Sequence, residues 1–252
     1  MEDARLEAHF FLESFGGLSE SEFQSKLASR IAGMPLAYLE GKKGFWKHEF
    51  SVSPAVLIPR PETEVLVEWG ADILTTLEDA SELEVWDFGT GSGCILLSLL
   101  ADFPGALGRG WDISAAALEI ALANSQLMEL EERSVWGVSD WWVNTPPCSA
   151  QLVIANPPYI MPGESVDFAV EKFEPQLALF TPVASPLEPY QKITAGFADA
   201  APAGSCLLFE IGAGRLGEVT ALGKTFGLEE LGYRLDLAGI PRAVGFKKPG
   251  LG

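Results

Sequence analysis

The chain has 252 residues, 48% of them hydrophobic, which is enough for one sizeable core. Its formal net charge is -18, from 35 acidic against 17 basic residues with no Lys/Arg-rich run, a balance that argues against direct nucleic-acid binding and either favours a basic protein partner or serves solubility alone. Scattered Cys94, Cys148 and Cys206, with only His9 and His48 beside them, give no metal-ligand spacing, and neither a signal peptide nor a membrane span is readable, so a cytoplasmic protein with no membrane contact is expected.

The first forty residues read as helices, with Leu6, Phe10 and Phe11 on one apolar stripe and Phe23, Leu27 and Ile31 on another. Ser19 and Glu22 are spaced for a capping box, and Gly33 with Pro35 stops the second helix. Bulky and β-branched residues over 45–57 predict a short hairpin. Pro61 suits the first turn of a helix whose positive end favours Glu62 and Glu64, and whose buried face is Val65, Leu66, Trp69, Ile73 and Leu77. After Ser81, strand-like runs at 85–88, 107–111, 134–138, 152–155 and 206–211 alternate with helical patterns, notably 94–100 and 115–127. That alternation predicts a parallel sheet covered on both faces. Two last strands, 232–237 and 242–246, are joined by a Gly-Ile-Pro turn and predict an antiparallel edge.

The first strand runs through Asp87 and Phe88 into Gly89-Thr90-Gly91-Ser92-Gly93 and directly into a helix. Glycines there let the backbone turn tightly and approach a ligand. The next strand ends in Asp112, where a carboxylate can accept both hydroxyls of a ribose. A dinucleotide loop would read G-x-G-x-x-G, but Cys94 stands where its last glycine belongs, and Asp87 would repel a pyrophosphate. A cationic nucleoside with an amino-acid end, S-adenosylmethionine, suits these residues better. After the third strand, Asp140 can accept from an adenine amino group and Trp141 can cover the ring; for Trp141 and Trp142 alike, ordinary packing at the sheet end is the competing reading.

The fourth strand ends in Asn156-Pro157-Pro158-Tyr159. At the carboxyl end of a strand in such a sheet these residues face the ligand crevice. An amide or aryl NH2 group is a poor nucleophile because its lone pair is delocalised. The Asn156 side-chain carbonyl and the Pro157 backbone carbonyl can each accept one of its N–H bonds, at about 1–3 kcal/mol apiece. Proline carries no competing N–H, so Pro157 and Pro158 stiffen the loop, and the Tyr159 ring can pack against a planar target.

Taken together, these segments resemble the HemK/PrmC family of peptide-chain release factor glutamine methyltransferases, from about Arg30 to Phe246. The marks are Arg30-Ile31-Ala32-Gly33-Met34-Pro35 with Tyr38 and Gly41, Leu57-Ile58-Pro59-Arg60-Pro61-Glu62-Thr63-Glu64, the Asp87 to Gly93 loop, and Asn156-Pro157-Pro158-Tyr159-Ile160. Glu174-Pro175 with Ala178-Leu179, Glu210-Ile211-Gly212, and the pair Asp236 and Arg242 complete them. The resemblance implies a class I, Rossmann-like fold of seven mostly parallel strands with an antiparallel C-terminal edge strand. It divides the chain into a helical arm (1–42), a hairpin linker (43–60) and a catalytic unit (61–252). It implies S-adenosylmethionine held by Gly89, Thr90, Gly91, Ser92, Gly93, Asp112, Asp140, Trp141 and Asn156. The implied substrate is the glutamine of the Gly-Gly-Gln loop of a class 1 release factor, held by Asn156, Pro157, Pro158 and Tyr159, with Asn156, Pro157 and Tyr159 catalytic. Arg60 and Glu62 would order the cleft wall. Two features depart from the family: the helical region before the match is short, and 180–187 replaces a Gly-rich stretch. The alternatives are an adenine methyltransferase acting on DNA or RNA, a cofactor-binding scaffold without turnover and, weakest, a nicotinamide dehydrogenase.

Overall fold

The computed structural model describes residues 2–77, 83–182 and 185–250. Val183 and Ala184 of the departing segment, and the Leu6 side chain, lie outside that description. Helices α1 (Glu2–Phe15), α2 (Glu20–Ile31) and α3 (Leu36–Glu40) open the chain. The capping box at Ser19 forms, its backbone N–H donating to Glu22 at 3.1 Å. Gly33, at φ 96°, takes the chain out of α2. Phe11, Phe15 and Leu39 bury themselves against Phe23 and Leu27 in a separate small cluster. Phe10 and Ile31, expected on the buried stripes, are instead 53% and 78% exposed. Phe11 and Phe15, an i, i+4 pair, form the covered face of α1 and meet Phe23 and Leu27 of α2 and Leu39 of α3.

The hairpin lies earlier than the 45–57 expected, as β1 (Lys42–Phe45) and β2 (His48–Ser51) with Phe45 opposite His48. The shift has a tertiary cause. Trp46 adopts φ 54° in the turn, and its N–H donates to the Glu64 carboxylate at 2.8 Å. Phe45 and Phe50 then face the core edge to face, 6.1 Å apart. Beyond β2, Val52, Val56 and Ile58 pack on Tyr38 and Ala117 without strand pairing.

A 3-10 turn, Pro61–Thr63, leads into α4 (Glu64–Thr76). Val65, Leu66, Trp69 and Leu74 of α4 are buried, while Ile73 and Leu77 pack at the margin of the core. There follow β3 (Leu83–Phe88), α5 (Cys94–Asp102), β4 (Ala106–Asp112), α6 (Ala115–Leu127), β5 (Ser134–Val138) and β6 (Leu152–Ala155). After these come α7 (Phe168–Phe173), α8 (Gln176–Leu179), α9 (Glu188–Ala200), β7 (Cys206–Glu210), α10 (Leu216–Thr225), β8 (Glu229–Leu235) and β9 (Pro241–Lys247).

The seven strands form one sheet in the order β5-β4-β3-β6-β7-β9-β8. The first five are mutually parallel; β9 runs antiparallel to both β7 and β8, so the C-terminal hairpin makes the antiparallel edge, with β8 outermost. Strand alternation divides the core in two. Val85, Ile154 and Leu208 meet α4 and α5 on one face, whereas Trp86, Phe88, Val153 and Phe209 meet Ile193 and Phe197 of α9 on the other. Every residue of β6 is fully buried, as expected of a central strand covered twice. The strand order reverses between β3 and β6, and there the two connections leave a crevice at the carboxyl ends.

Candidate functional site

That crevice is a cavity of about 700 Å³, within the range of small-molecule sites. Its walls include all of Gly89 to Ser92, Asp112, Asp140, Trp141, Asn156 and Pro158. Gly93 starts α5 behind the loop. It has φ 78°, and a Cβ there would come within 2.9 Å of the Trp136 ring. Gly89 and Gly91 also have positive φ, 70° and 55°, and a Cβ on Gly89 would lie 3.7 Å from the Trp141 ring.

Asp112 ties two loops together. One carboxylate oxygen accepts from the Gly91 N–H at 2.9 Å and the other from the Ser114 N–H at 2.9 Å. Burial pushes its carboxyl above the ordinary range, against the pull of these two bonds. Asp87 lies beneath the loop, fully buried. Its Oδ2 accepts from the Thr90 hydroxyl at 2.7 Å, while Oδ1 has no partner among the described residues. Burial, reinforced by the charge of Asp112, pushes this carboxyl up to about 7. A buried acid short of one partner, next to a positive-φ glycine cradle, fits a cationic amino-acid ligand and opposes an anionic one. Each oxygen of Asp112 keeps a further lone pair for a ribose hydroxyl.

After β5 the two tryptophans part ways. Trp141, at φ 54°, lines the cavity. Trp142 turns into the core, its ring 4.5 Å from Phe88 and its indole N–H donating to the Ile193 carbonyl at 3.0 Å; for it the packing reading holds. Asp140 is half-exposed, 4.0 Å from the ammonium of Lys192, which also reaches Glu188 at 3.0 Å.

Asn156 leaves β6 into the cavity wall, and its Nδ2 lies 3.4 Å from the Thr63 hydroxyl. Pro157 is buried. The Tyr159 ring lies against Gly212, where a Cβ would come within 3.0 Å of it, and lines a second cavity of about 290 Å³ rather than the large one. Its hydroxyl donates to Glu210 at 3.2 Å. Glu210, at the end of β7, is fully enclosed and also accepts from Thr63 at 2.6 Å; burial pushes its carboxyl up to about 7. Arg60 pairs with the buried Glu174, whose other oxygen accepts from the Ile58 N–H at 3.0 Å. This pair joins two walls of the cavity, the segment around Pro59 and the segment around Pro175. Glu62 is exposed and outside that wall.

Several contributors carry no signal of their own in the chain. Thr63, Glu174 and Glu210 stand inside recognisable segments, yet nothing in their local pattern says that they meet. Asn124, mid-helix in α6, is 1% exposed and clamps the hairpin to the glycine loop. It accepts from the Ser51 N–H at 2.7 Å and donates to the carbonyls of Ser51 at 3.0 Å and Ser92 at 2.9 Å.

Comparison with known proteins agrees with this architecture. Residues 67–176 match the family model described as Methyltransferase small domain. The crystal structure of a methyltransferase from Pyrococcus furiosus superposes with a TM-score of 0.58 at 14% identity, covering 91% of this chain and 100% of that one. An O-methyltransferase family protein from Burkholderia thailandensis gives 0.53 at 15% identity over 76% and 56% of the two chains. These two support the fold alone. Closer in sequence is the release factor glutamine methyltransferase of Rhodospirillum rubrum, 38% identical over 88% of this chain and 67% of its own. That of Cereibacter sphaeroides is 36% identical over 91% and 80%. Fold and family together imply S-adenosylmethionine as the methyl donor. With a switch-point cavity between a glycine loop and an Asn-Pro-Pro-Tyr turn, and with relatives of this identity along most of its length, the chain belongs to the release factor glutamine methyltransferase family.

Proposed function

We propose that this protein methylates the side-chain amide of the glutamine in the Gly-Gly-Gln loop of a class 1 peptide-chain release factor. What carries the reading is that Asn156, the glycine loop and Asp112 wall one cavity. A methyl-transfer site needs donor and acceptor pockets contiguous. In this reading Gly89 to Gly93, Asp112, Asp140 and Trp141 hold S-adenosylmethionine, with the carboxylates on its polar groups and Trp141 on its adenine. When bound, it supplies an electrophilic methyl group on a sulfonium.

The chain's own residues do the positioning. Asn156 Oδ1 and the Pro157 carbonyl accept the two N–H bonds of the glutamine amide and turn its lone pair toward the methyl for in-line transfer. They also offset the positive charge that grows on nitrogen, so their effect is larger in the transition state than in the ground state. The attacked nitrogen becomes acidic as it is methylated and gives up one of its two protons to solvent, so no strong base is required. Tyr159 acts through Glu210, as its ring lies outside the large cavity. Residues 1–42 then serve as a docking arm, 43–60 as a hairpin linker and 61–252 as the catalytic unit.

The test is incubation of the purified protein with S-adenosylmethionine and a release factor, followed by the mass of the Gly-Gly-Gln peptide. One added methyl group, absent with Asn156→Ala, is the expected result. An unmodified peptide despite measurable cofactor binding would overturn the substrate assignment.

A further inference from the structure

Asn156 serves as an acceptor only if its carbonyl, and not its NH2, faces the substrate. The two ends of a primary amide are nearly the same size, so shape alone does not choose between them. Hydrogen-bond direction can. Nδ2 lies 3.4 Å from Thr63 Oγ1. Thr63 is 3% exposed, and its hydroxyl carries a single proton, which it donates to Glu210 Oε2 at 2.6 Å. With that proton engaged, Thr63 has only lone pairs to offer Asn156. An amide turned the other way would set carbonyl oxygen against hydroxyl lone pair. The Asn156 contact is long, so the selection comes more from the repulsion of the wrong orientation than from the strength of the right one.

Glu210 is in turn held in place. It is 1% exposed; Tyr159 donates to Oε1 at 3.2 Å, and the Tyr190 hydroxyl donates to its backbone carbonyl at 3.0 Å. The positive charge of Arg242, itself bonded to Asp236 at 3.1 Å, favours the ionised carboxyl. Three segments far apart in sequence thus converge: the 3-10 turn before α4, the end of β6 and the end of β7.

We propose that Thr63 and Glu210 are positioning residues which fix the direction of the Asn156 amide, so that Oδ1 is presented to the substrate as an acceptor. The proposal rests on the amide-methylation reading above. It is tested by steady-state methylation of a Gly-Gly-Gln peptide well above neutrality, where Glu210 is ionised, with cofactor affinity measured in parallel. Thr63→Val, nearly isosteric, is expected to lower kcat about tenfold while leaving the peptide KM and the cofactor Kd within about twofold. Thr63→Ser, which keeps the hydroxyl, restores kcat. Should the valine variant fail to bind cofactor, Glu210→Gln carries the test. Its amide can offer Thr63 a donor in place of an acceptor, and kcat falls with cofactor Kd unchanged. Wild-type kcat in Thr63→Val or in Glu210→Gln would overturn the proposal, as would a serine variant no better than valine. A wild-type enzyme inert on the peptide would instead overturn the functional reading, and the positioning role with it.

Discussion

Asp87 sets the residue-scale problem: a carboxylate in the core, one oxygen on Thr90 and the other without a partner among the described residues. Its folded state keeps a proton up to about 7, whereas an ordinary aspartate releases it near 3.8. Between those values the folded chain binds more protons than the unfolded one, so stability falls as pH rises through that window. Asp87→Asn keeps the acceptor for Thr90 and removes the ionisation. In thermal melts without cofactor, the variant's melting temperature relative to wild type is expected to climb from pH about 4 to about 7 and then level off. Cofactor affinity should fall in the same variant. A melting difference that does not change with pH would show that Asp87 does not titrate as described. The acidic residue beside the glycine loop was legible in the chain as a reason to reject a pyrophosphate. Its complete burial was not, because burial depends on α5 and on the neighbouring strands.

Among the elements, the hairpin and the cofactor loop are joined by one side chain. Asn124 makes three hydrogen bonds from α6, two to Ser51 on β2 and one to Ser92 in the loop. Replacing it by alanine leaves the partly buried N–H and carbonyl of Ser51 and the buried carbonyl of Ser92 without this partner. We expect Asn124→Ala to lower unfolding stability by about 2–3 kcal/mol in denaturant titrations and to weaken cofactor binding as the loop loosens. Loss of stability with unaltered cofactor affinity would mean that the hairpin does not support the loop. An asparagine at this place in a helix looks like a neutral surface residue; only the packing of β2 across α6 makes it a clamp. The hairpin itself was legible as strand-forming sequence, but its place was not. Its register depends on Glu64 capping the turn at Trp46 from another element.

At the scale of the molecule, a net charge of -18 surrounds a site whose proposed substrate is another protein. Long-range attraction acts mainly on association rate and is screened by salt. Were the acidic surface to recruit the substrate, methylation of an intact release factor would slow, through kcat/KM, as ionic strength rises. A short uncharged Gly-Gly-Gln peptide should be nearly indifferent. Equal salt dependence for both would remove the acidic surface from substrate recruitment and leave it a role in solubility alone.

The sequence by itself determined the alternation that makes a parallel sheet, the glycine loop ahead of α5, and the Asn-Pro-Pro-Tyr turn at a strand end. These are local matters of periodicity and backbone conformation, written in consecutive residues. Tertiary structure alone decided that Trp142 joins the core while Trp141 lines the cavity, that Tyr159 faces Gly212, and that Glu210 reaches Asn156 through Thr63. Those relations depend on which strands become neighbours and on where each side chain finds a partner once water is excluded. No stretch of chain carries that information, because Thr63 and Glu210 stand 147 residues apart until the sheet brings them together.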